Sequence, residues 1–437
     1  MIFIQEVFMT YSKYNHLCKL SGSDNYLLYN FLTGALLELD EDAQRRFNDI
    51  TLLSSDEKKL LIENGFLIEN FDELQYLKYG NKLACADPEL LSILIAPTMA
   101  CNFRCPYCFE HHGAGMMSEE VQDAIISFIE NSVREHHHKH LFVYWFGGEP
   151  LLGISIIEKM AERILEIVEN YQLSYSSAMS SNGYYLTESS LRILEKCRLD
   201  RIQITLDGMR ELNDKTRVLA NGDGTFNVIV SNLQKAHTGI EIHIRTNLTK
   251  QNAGEFSKLN ALVKDIRRTN NINISLYGAH MSVYEFNNEN VDDLELSIQE
   301  FSNVLRKNNI LGAGSRTKCK FTFCDAAKTF SYCFDEKGYM YKCWNDIGNP
   351  EFAYDNVLEA NHRGINYLCK NALDYLGDSF PDECADCLVL PICMGGCIKK
   401  RVVEHHKTCS PVKYNLDDYV NKKYKMKLGG EINDSGY

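Results

Sequence analysis

Apolar and polar positions follow three successive patterns along the chain. Up to about residue 80, the runs YNHLCKL and YLLYNFLTGALLELD alternate as strands do, the second broken by a turn signal at Thr33-Gly34. Helical patterns come next, EDAQRRFNDI and SDEKKLLIENG, the latter closing on Gly65 as a C-cap, and FLIEN adds a short strand. This order predicts a small α+β module, and DELQYLKYGNKLACADPEL after it reads as a linker. From about residue 90, strand and helix patterns alternate. The strand-like runs are LSILIAPT, LFVYWFGG, YSSAMSSNG, RIQITLDG, EIHIRTNLT and INISLYGA. Helical segments lie between them, for example SEEVQDAIISFIENSVRE, ISIIEKMAERILEIVENYQ and TESSLRILEKC, the first opening on Ser118 as N-cap. From about residue 312 the alternation stops, and cysteines, glycines and short strands take over.

Parallel strands need helical crossovers, so six βα units predict an α/β region with a parallel sheet. Six is short of the eight that close a full barrel. The expectation is a partial (β/α)6, TIM-like barrel with its site at the C-terminal strand ends. The resulting domains are 1–80, 81–311 and 312–437, the last too poor in long apolar patterns to stand without staples.

Composition narrows the partners. A net charge of −13 and pI near 5.5 oppose binding to a phosphate backbone, so no nucleic acid is expected. The opening MIFIQEVFMTYSK lacks a basic leading region, and no run approaches the ~18 apolar residues of a spanning helix. A cytoplasmic protein with no membrane partner is expected. In a reducing compartment, sixteen cysteines read as metal ligands or buried thiols rather than disulfides. Cys18, Cys85, Cys197 and Cys369 stand alone and read as small buried hydrophobes. The others gather at 101–108 and 319–409.

The stretch CNFRCPYCFE places Cys101, Cys105 and Cys108 on the loop after the first barrel strand. Three thiolates suit an iron–sulfur cluster in which one iron keeps an open position. A zinc site completed by His111 or His112 is the alternative. Further on, CADCLVLPICMGGC gives Cys384, Cys387, Cys393 and Cys397, with Cys409 beyond. Cys324, Cys333 and Cys343 precede them, with Gly338 in a G-x4-C spacing. A zinc-ribbon pair is the alternative here too. EHHHKH at 135–140 reads as a solvated connection between a helix and a strand.

The C-x3-C-x2-C triplet at the end of the first strand resembles the signature of radical S-adenosylmethionine (radical SAM) enzymes, over residues from about 90 to 409. GGEP, Gly147-Gly148-Glu149-Pro150, follows the second strand where this family keeps its methionine-amine site. The glycines would let the backbone approach the ligand, and Glu149 would accept from its ammonium group. By the same resemblance Tyr107 lies against the adenine, Thr205 of TLDG meets the ribose, and Arg217 pairs with the cofactor carboxylate. The chemistry implied is reductive cleavage of S-adenosylmethionine to a 5′-deoxyadenosyl radical that takes a hydrogen atom from substrate.

The second cysteine field resembles the SPASM extension of radical enzymes that modify peptides. The resemblance implies three [4Fe-4S] clusters. Cys384, Cys387, Cys393 and Cys409 would hold one auxiliary cluster. Cys324, Cys343 and Cys397 would hold another, with Cys333, Cys319 or an open position as its fourth corner and a hairpin at Lys337-Gly338 favouring Cys333. In anaerobic sulfatase maturases an Asp follows the G-x4-C cysteine as base. Here Trp344 takes that place and Asp346 lies two further on, so no catalytic base is assigned. The resemblance therefore points to maturases of ribosomally made peptides that install thioether or carbon–carbon links. The first 80 residues are similar in layout to their winged-helix-like peptide-recognition element, which binds a leader as an added edge strand. Implied partners are a precursor peptide and an electron donor such as flavodoxin or ferredoxin. A sulfatase-type maturase and a non-enzymatic, zinc-stapled peptide binder are the other readings.

Overall fold

The structure is a computed structural model. It describes residues 9–281, 295–308, 310, 319, 321–322, 324–359, 373, 375–376, 380–405 and 407–429. The chain forms two compact units. One comprises residues 1–84, 305–323 and 379–437, the other 85–304 and 324–378.

In the first unit, β1 (Met9–Tyr11) pairs antiparallel with β5 (Leu67–Glu69), and β2 (Asn15–Lys19), β3 (Tyr26–Asn30) and β4 (Leu36–Leu39) form an antiparallel meander. Asn30 fixes the β3–β4 turn. Its Oδ1 accepts from the backbone of Leu32 and Thr33, and Gly34 takes the positive φ that closes the turn. Helices α1 (Glu41–Phe47) and α2 (Ser55–Glu63) follow, as the sequence predicts. Asp40 caps the first, and a Ser54/Glu57 capping box opens the second.

The predicted linker is instead a 14-residue helix, α3 (Glu73–Ala86). Leu74, Leu77, Asn81 and Ala84 repeat at helical spacing, and Leu77 is fully buried among Tyr14, Leu27 and Phe31. The buried Glu73 carboxylate ties the helix start to β1–β2 by accepting from Ser12 Oγ and Lys13 N. A C-terminal helix, Leu416–Lys427, packs on β2 and β3 within this unit, stacking Tyr419 on Phe31.

The second unit holds the predicted α/β architecture. Its six parallel strands are β6 (Leu90–Ile95), β7 (His140–Trp145), β8 (Ser174–Ser181), β9 (Arg201–Thr205), β10 (Glu241–Leu248) and β11 (Ile274–His280). They lie side by side in chain order. Each crossover carries helix, including α4 (Glu119–His136), α5 (Ile154–Asn170), α6 (Glu188–Lys196), α7 (Arg210–Thr216), α8 (Phe226–Lys235) and α9 (Phe256–Asn270); α10 (Ile298–Lys307) follows β11. Ile93, Val143, Ile202, Ile244 and Leu276 are essentially inaccessible to solvent, as sheets covered by helices require. Beyond β6 the sheet continues with β12 (Ser331–Phe334), parallel to it, then β13 (Tyr339–Tyr341) and β14 (Asp355–Asn356). The β12–β13 hairpin turns at Lys337-Gly338 as expected, with φ of +84° at Gly338.

EHHHKH is not a wholly solvated connection. His138 is buried, its Nδ1 bonded to the Pro88 carbonyl and its Nε2 2.9 Å from Ser132 Oγ. Cys18 and Cys197 are buried as expected, whereas Cys85 is half-buried; Cys369 lies outside the described residues. Among the described residues no helix is long and apolar enough to cross a membrane.

Candidate active site

The C-terminal end of β6 runs into a loop held by three others. Gly148 N donates to Thr98 O at 3.2 Å and Glu149 N to Ala100 O at 2.9 Å, joining it to the loop after β7. Asn182 Nδ2, after β8, donates to Asn102 Oδ1 at 2.8 Å and faces Cys101 Sγ at 3.9 Å. Arg104 N donates to Val218 O and Ala220 N to Asn102 O, tying in the segment after α7. The paired glycines have a reason the sequence did not disclose. A Cβ on Gly147 would stand 2.3 Å from Thr98 O, and one on Gly148 2.4 Å from Ala100 O. Only glycine allows the backbones of the two loops to meet.

Cys101, Cys105 and Cys108 are brought together here. Burial pushes the Cys101 and Cys108 thiols up to about 12, and Cys105 is raised for the same reason. Cys105 adds to the shift at both of the others. Thiols so desolvated become thiolates when a polycationic centre replaces their protons.

Glu149 is fully buried. Its Oε1 accepts from Leu151 N (3.0 Å) and Ser181 Oγ (2.9 Å), and its Oε2 from Asn182 N (2.7 Å). Burial raises its carboxyl, against the pull of those bonds and of Arg217. Pro150 opens the single helical turn that Glu149 caps.

Thr205 ends β9, nearly buried. Two residues on, the buried Asp207 accepts at Oδ2 from the Tyr107 hydroxyl and from Thr216 Oγ1 (3.3 Å), and at Oδ1 from Asn247 N (3.2 Å). Arg217 Nη1 donates to the Tyr107 oxygen at 2.8 Å, and its guanidinium lies 5.4 Å from the centre of the Phe103 ring. Burial holds Tyr107 neutral, raising its phenol well above the ordinary range.

Three enclosed polar atoms beside the thiols have no hydrogen-bond partner: Asn102 Nδ2, Arg217 Nε and Glu110 Oε2. Two are donors and one is an acceptor. Burial raises the Glu110 carboxyl well above its usual range, Glu149 adds to this, and Arg217 opposes it. Such orphaned groups are costly unless a ligand meets them. A ligand carrying both a carboxylate and an amine has the complementary pattern, and the donor set therefore fits S-adenosylmethionine beside an iron–sulfur cluster. Sequence reasoning missed Asp207, Asn102, Glu110, Ser181 and Asn182. Their signal was position, in TLDG, in SSNG and within the cysteine loop itself.

Of the second cysteine field, Cys384, Cys387, Cys393 and Cys409 line one enclosed cavity in the first unit, with Lys407 and Thr408. Burial raises Cys384 and Cys393, and the neighbouring thiols add to each shift. Cys397, in the same unit, has Lys400 and Glu404 as its charged neighbours. Cys319 also belongs to this unit and, with Cys387, adds to the rise at Tyr14 that burial begins. In the second unit, Cys333 on β12 packs among Leu94, Ala96, Met99 and Phe146, close enough to Cys324 to be raised by it after burial and against Lys342. Cys343, buried in the same unit, follows β13 and precedes Trp344, whose half-exposed indole stacks on Phe146 at 5.7 Å. Asp346 is buried, its Oδ2 accepting from Tyr375 at 2.7 Å.

Residues 95–263 match the profile of the Radical SAM superfamily. The chain carries a radical SAM domain over these residues. It is 24% identical over 345 residues to a cysteine-type anaerobic sulfatase-maturating enzyme of Clostridium novyi (strain NT), covering 71% of this chain and 88% of that protein. Its fold is similar to native anSMEcpe with bound AdoMet and Cp18Cys peptide, with TM-score 0.58 and 19% identity over 78% of this chain and 97% of that one. It is also similar to Streptococcus suis SuiB bound to precursor peptide SuiA, with TM-score 0.50 and 15% identity over 89% and 95%.

Proposed function

We propose that this enzyme modifies a ribosomally made precursor peptide, installing a thioether or carbon–carbon cross-link. The observation that carries the reading is the three-thiol loop set beside two orphaned buried donors and one orphaned buried acceptor. Cys101, Cys105 and Cys108 would ligate a [4Fe-4S] cluster. With S-adenosylmethionine, that cluster supplies reductive cleavage of the cofactor's carbon–sulfur bond and hence hydrogen-atom abstraction. Arg217 and Asn102 would donate to the cofactor carboxylate and Glu110 would accept from its amine. Tyr107 and Thr205 would border the adenosine, and the Gly147–Pro150 segment would wall the pocket. Fixed, dry positioning is the protein's share of such chemistry.

Cys384, Cys387, Cys393 and Cys409 would hold an auxiliary cluster, and Cys324, Cys333 and Cys343 would bring thiolates to a further one. The module of residues 1–80 would take the leader peptide as an added strand. Its outer strand β4 has a partner on one side only among the described residues, which supports that role. A low-potential donor such as flavodoxin or ferredoxin would supply the electron, in the cytoplasm.

Sulfatase-type maturation is the second reading, favoured by the relative that matches over 71% of this chain. Two observations weigh against it. Trp344 stands after Cys343, and the nearby Asp346 is buried and engaged by Tyr375.

Anaerobic reconstitution with iron, sulfide, reductant and the precursor peptide encoded beside the gene tests the proposal. Expected products are 5′-deoxyadenosine and a peptide lighter by two hydrogens. Formation of 5′-deoxyadenosine with turnover only of a sulfatase-motif peptide would transfer the assignment to the second reading. An inert enzyme with intact clusters would remove both.

A further inference from the structure

Strand β2 and the C-terminal helix, both in the first unit, bring together three side chains that the chemistry above does not use. His16 and Cys18 lie two apart on β2 and so share a face. Asp417, in the first turn of the helix Leu416–Lys427, meets them there. His16 Nε2 is 2.7 Å from Asp417 Oδ1, and a ring nitrogen, a carboxylate oxygen and Cys18 Sγ all lie within 4.8 Å of one another.

The surroundings are built rather than incidental. Asn421, one turn further along the helix, is buried. Its Nδ2 donates to the backbone carbonyls of Asp417 (2.9 Å) and Lys19 (3.1 Å) and points at the Cys18 sulfur at 3.9 Å. Its Oδ1 accepts from Ser21 N at 2.8 Å. One amide thus locks strand to helix and contacts the Cys18 sulfur, as outer-shell partners of metal ligands do. His16 and Asp417 also line an open cleft, which gives an ion a way in and leaves one side of the trio to solvent.

We propose that His16, Cys18 and Asp417 bind zinc, with a cleft water as fourth ligand, and that the ion staples the C-terminal helix to the N-terminal sheet of this unit. A sulfur, an imidazole nitrogen and a carboxylate oxygen form a zinc donor set, whereas calcium and magnesium take oxygen alone. Zinc bonds of about 2.0–2.3 Å place ligand atoms roughly 3–4 Å apart on a tetrahedron. The trio, with its atoms within 4.8 Å of one another, stands close to that spacing.

The test uses the full chain with its iron–sulfur clusters reconstituted, so that the cluster cysteines are occupied. The protein is equilibrated with micromolar zinc sulfate and passed over a chelating resin, and zinc and iron are then counted by mass spectrometry. About one zinc per chain is expected, with a single sulfur in its shell by zinc-edge X-ray absorption. Cys18→Ser and Asp417→Asn should each weaken zinc binding by about 10-fold or more, with iron unchanged. The Asp417 side chain is 73% exposed, so its replacement leaves folding intact. Absence of zinc from the wild type, retention in both variants, or a shell of three or four sulfurs would each overturn the proposal.

Discussion

The Arg217 guanidinium and the Tyr107 phenol, 110 residues apart in sequence, meet at 2.8 Å, and the phenol passes its own hydrogen to Asp207. The Tyr107 oxygen is therefore held between the Arg217 guanidinium and the Asp207 carboxyl group. The contact joins the cysteine loop to the segments after β9 and α7 and fixes Arg217 with its Nε unengaged. Arg217→Lys keeps the charge but loses the planar fork that reaches Tyr107 and a ligand together. Losing hydrogen bonds to charged groups costs about 1.5–3 kcal/mol, a roughly 10- to 150-fold weaker affinity. Equilibrium dialysis of S-adenosylmethionine against the reconstituted enzyme should show that loss with iron content unchanged. Tyr107→Phe should produce a smaller loss in the same direction.

Glu149 makes a separate prediction, about stability. Its carboxylate accepts three hydrogen bonds in full burial, two from backbone amides and one from Ser181. Glutamine offers one oxygen in place of two, and its amide nitrogen would confront a donor. Glu149→Gln should lose about 1–3 kcal/mol, read as an earlier midpoint in anaerobic urea unfolding. An unshifted midpoint would mean that the carboxylate's bonds contribute nothing to the fold.

The four thiols around the Lys407 cavity should behave as one group. Cys409→Ala removes a single thiol yet is expected to lower iron by one to about four atoms per chain, since here all four irons would be capped by protein thiolates and no cofactor closes the corner that the substitution opens. The Cys101–Cys108 loop lies in the other unit and should keep its own iron. Unchanged iron would show that Cys409 holds no cluster.

The sequence disclosed the six barrel strands because each is a short apolar run with a helix on either side, the form a doubly covered parallel strand takes. It disclosed the cysteine triplet because thiols at that spacing have few structural uses. It concealed α3, whose buried residues Glu73, Leu77 and Asn81 include a glutamate and an asparagine, while Tyr76, Tyr79 and Leu83 on its other positions are exposed. Polar residues inside and aromatic residues outside reverse the pattern that marks a helix. It concealed Asp207, Asn182 and Glu110 for a different reason. Asp207 and Asn182 act through partners tens of residues away, as in the Tyr107–Asp207 contact, and Glu110 is buried near the charges of Glu149 and Arg217; spacing carries no trace of such meetings. The paired glycines were visible, but their cause, the approach of Thr98 and Ala100 carbonyls, lies in another loop.

His138 makes the last prediction, a pH dependence of stability. The Pro88 carbonyl can only accept, so the proton of the neutral ring sits on Nδ1, and Nε2 is left to accept from the Ser132 hydroxyl. Burial lowers the pKa of this histidine below 6.5, and His136 adds to the shift, against the bond to Pro88. The folded state therefore binds the proton more weakly than the unfolded chain does. The sign follows: the contribution of His138 is fully present above about pH 6.5 and is lost as pH falls through the folded value, with a limiting slope of about 1.4 kcal/mol per pH unit. His138→Asn retains a donor for the Pro88 carbonyl and cannot titrate. The variant should be less stable than wild type at pH 7.5, through lost packing against Phe330, yet its urea midpoint should fall less between pH 7.5 and 5. Parallel pH profiles for the two proteins would show that the ring carries its proton equally in folded and unfolded states.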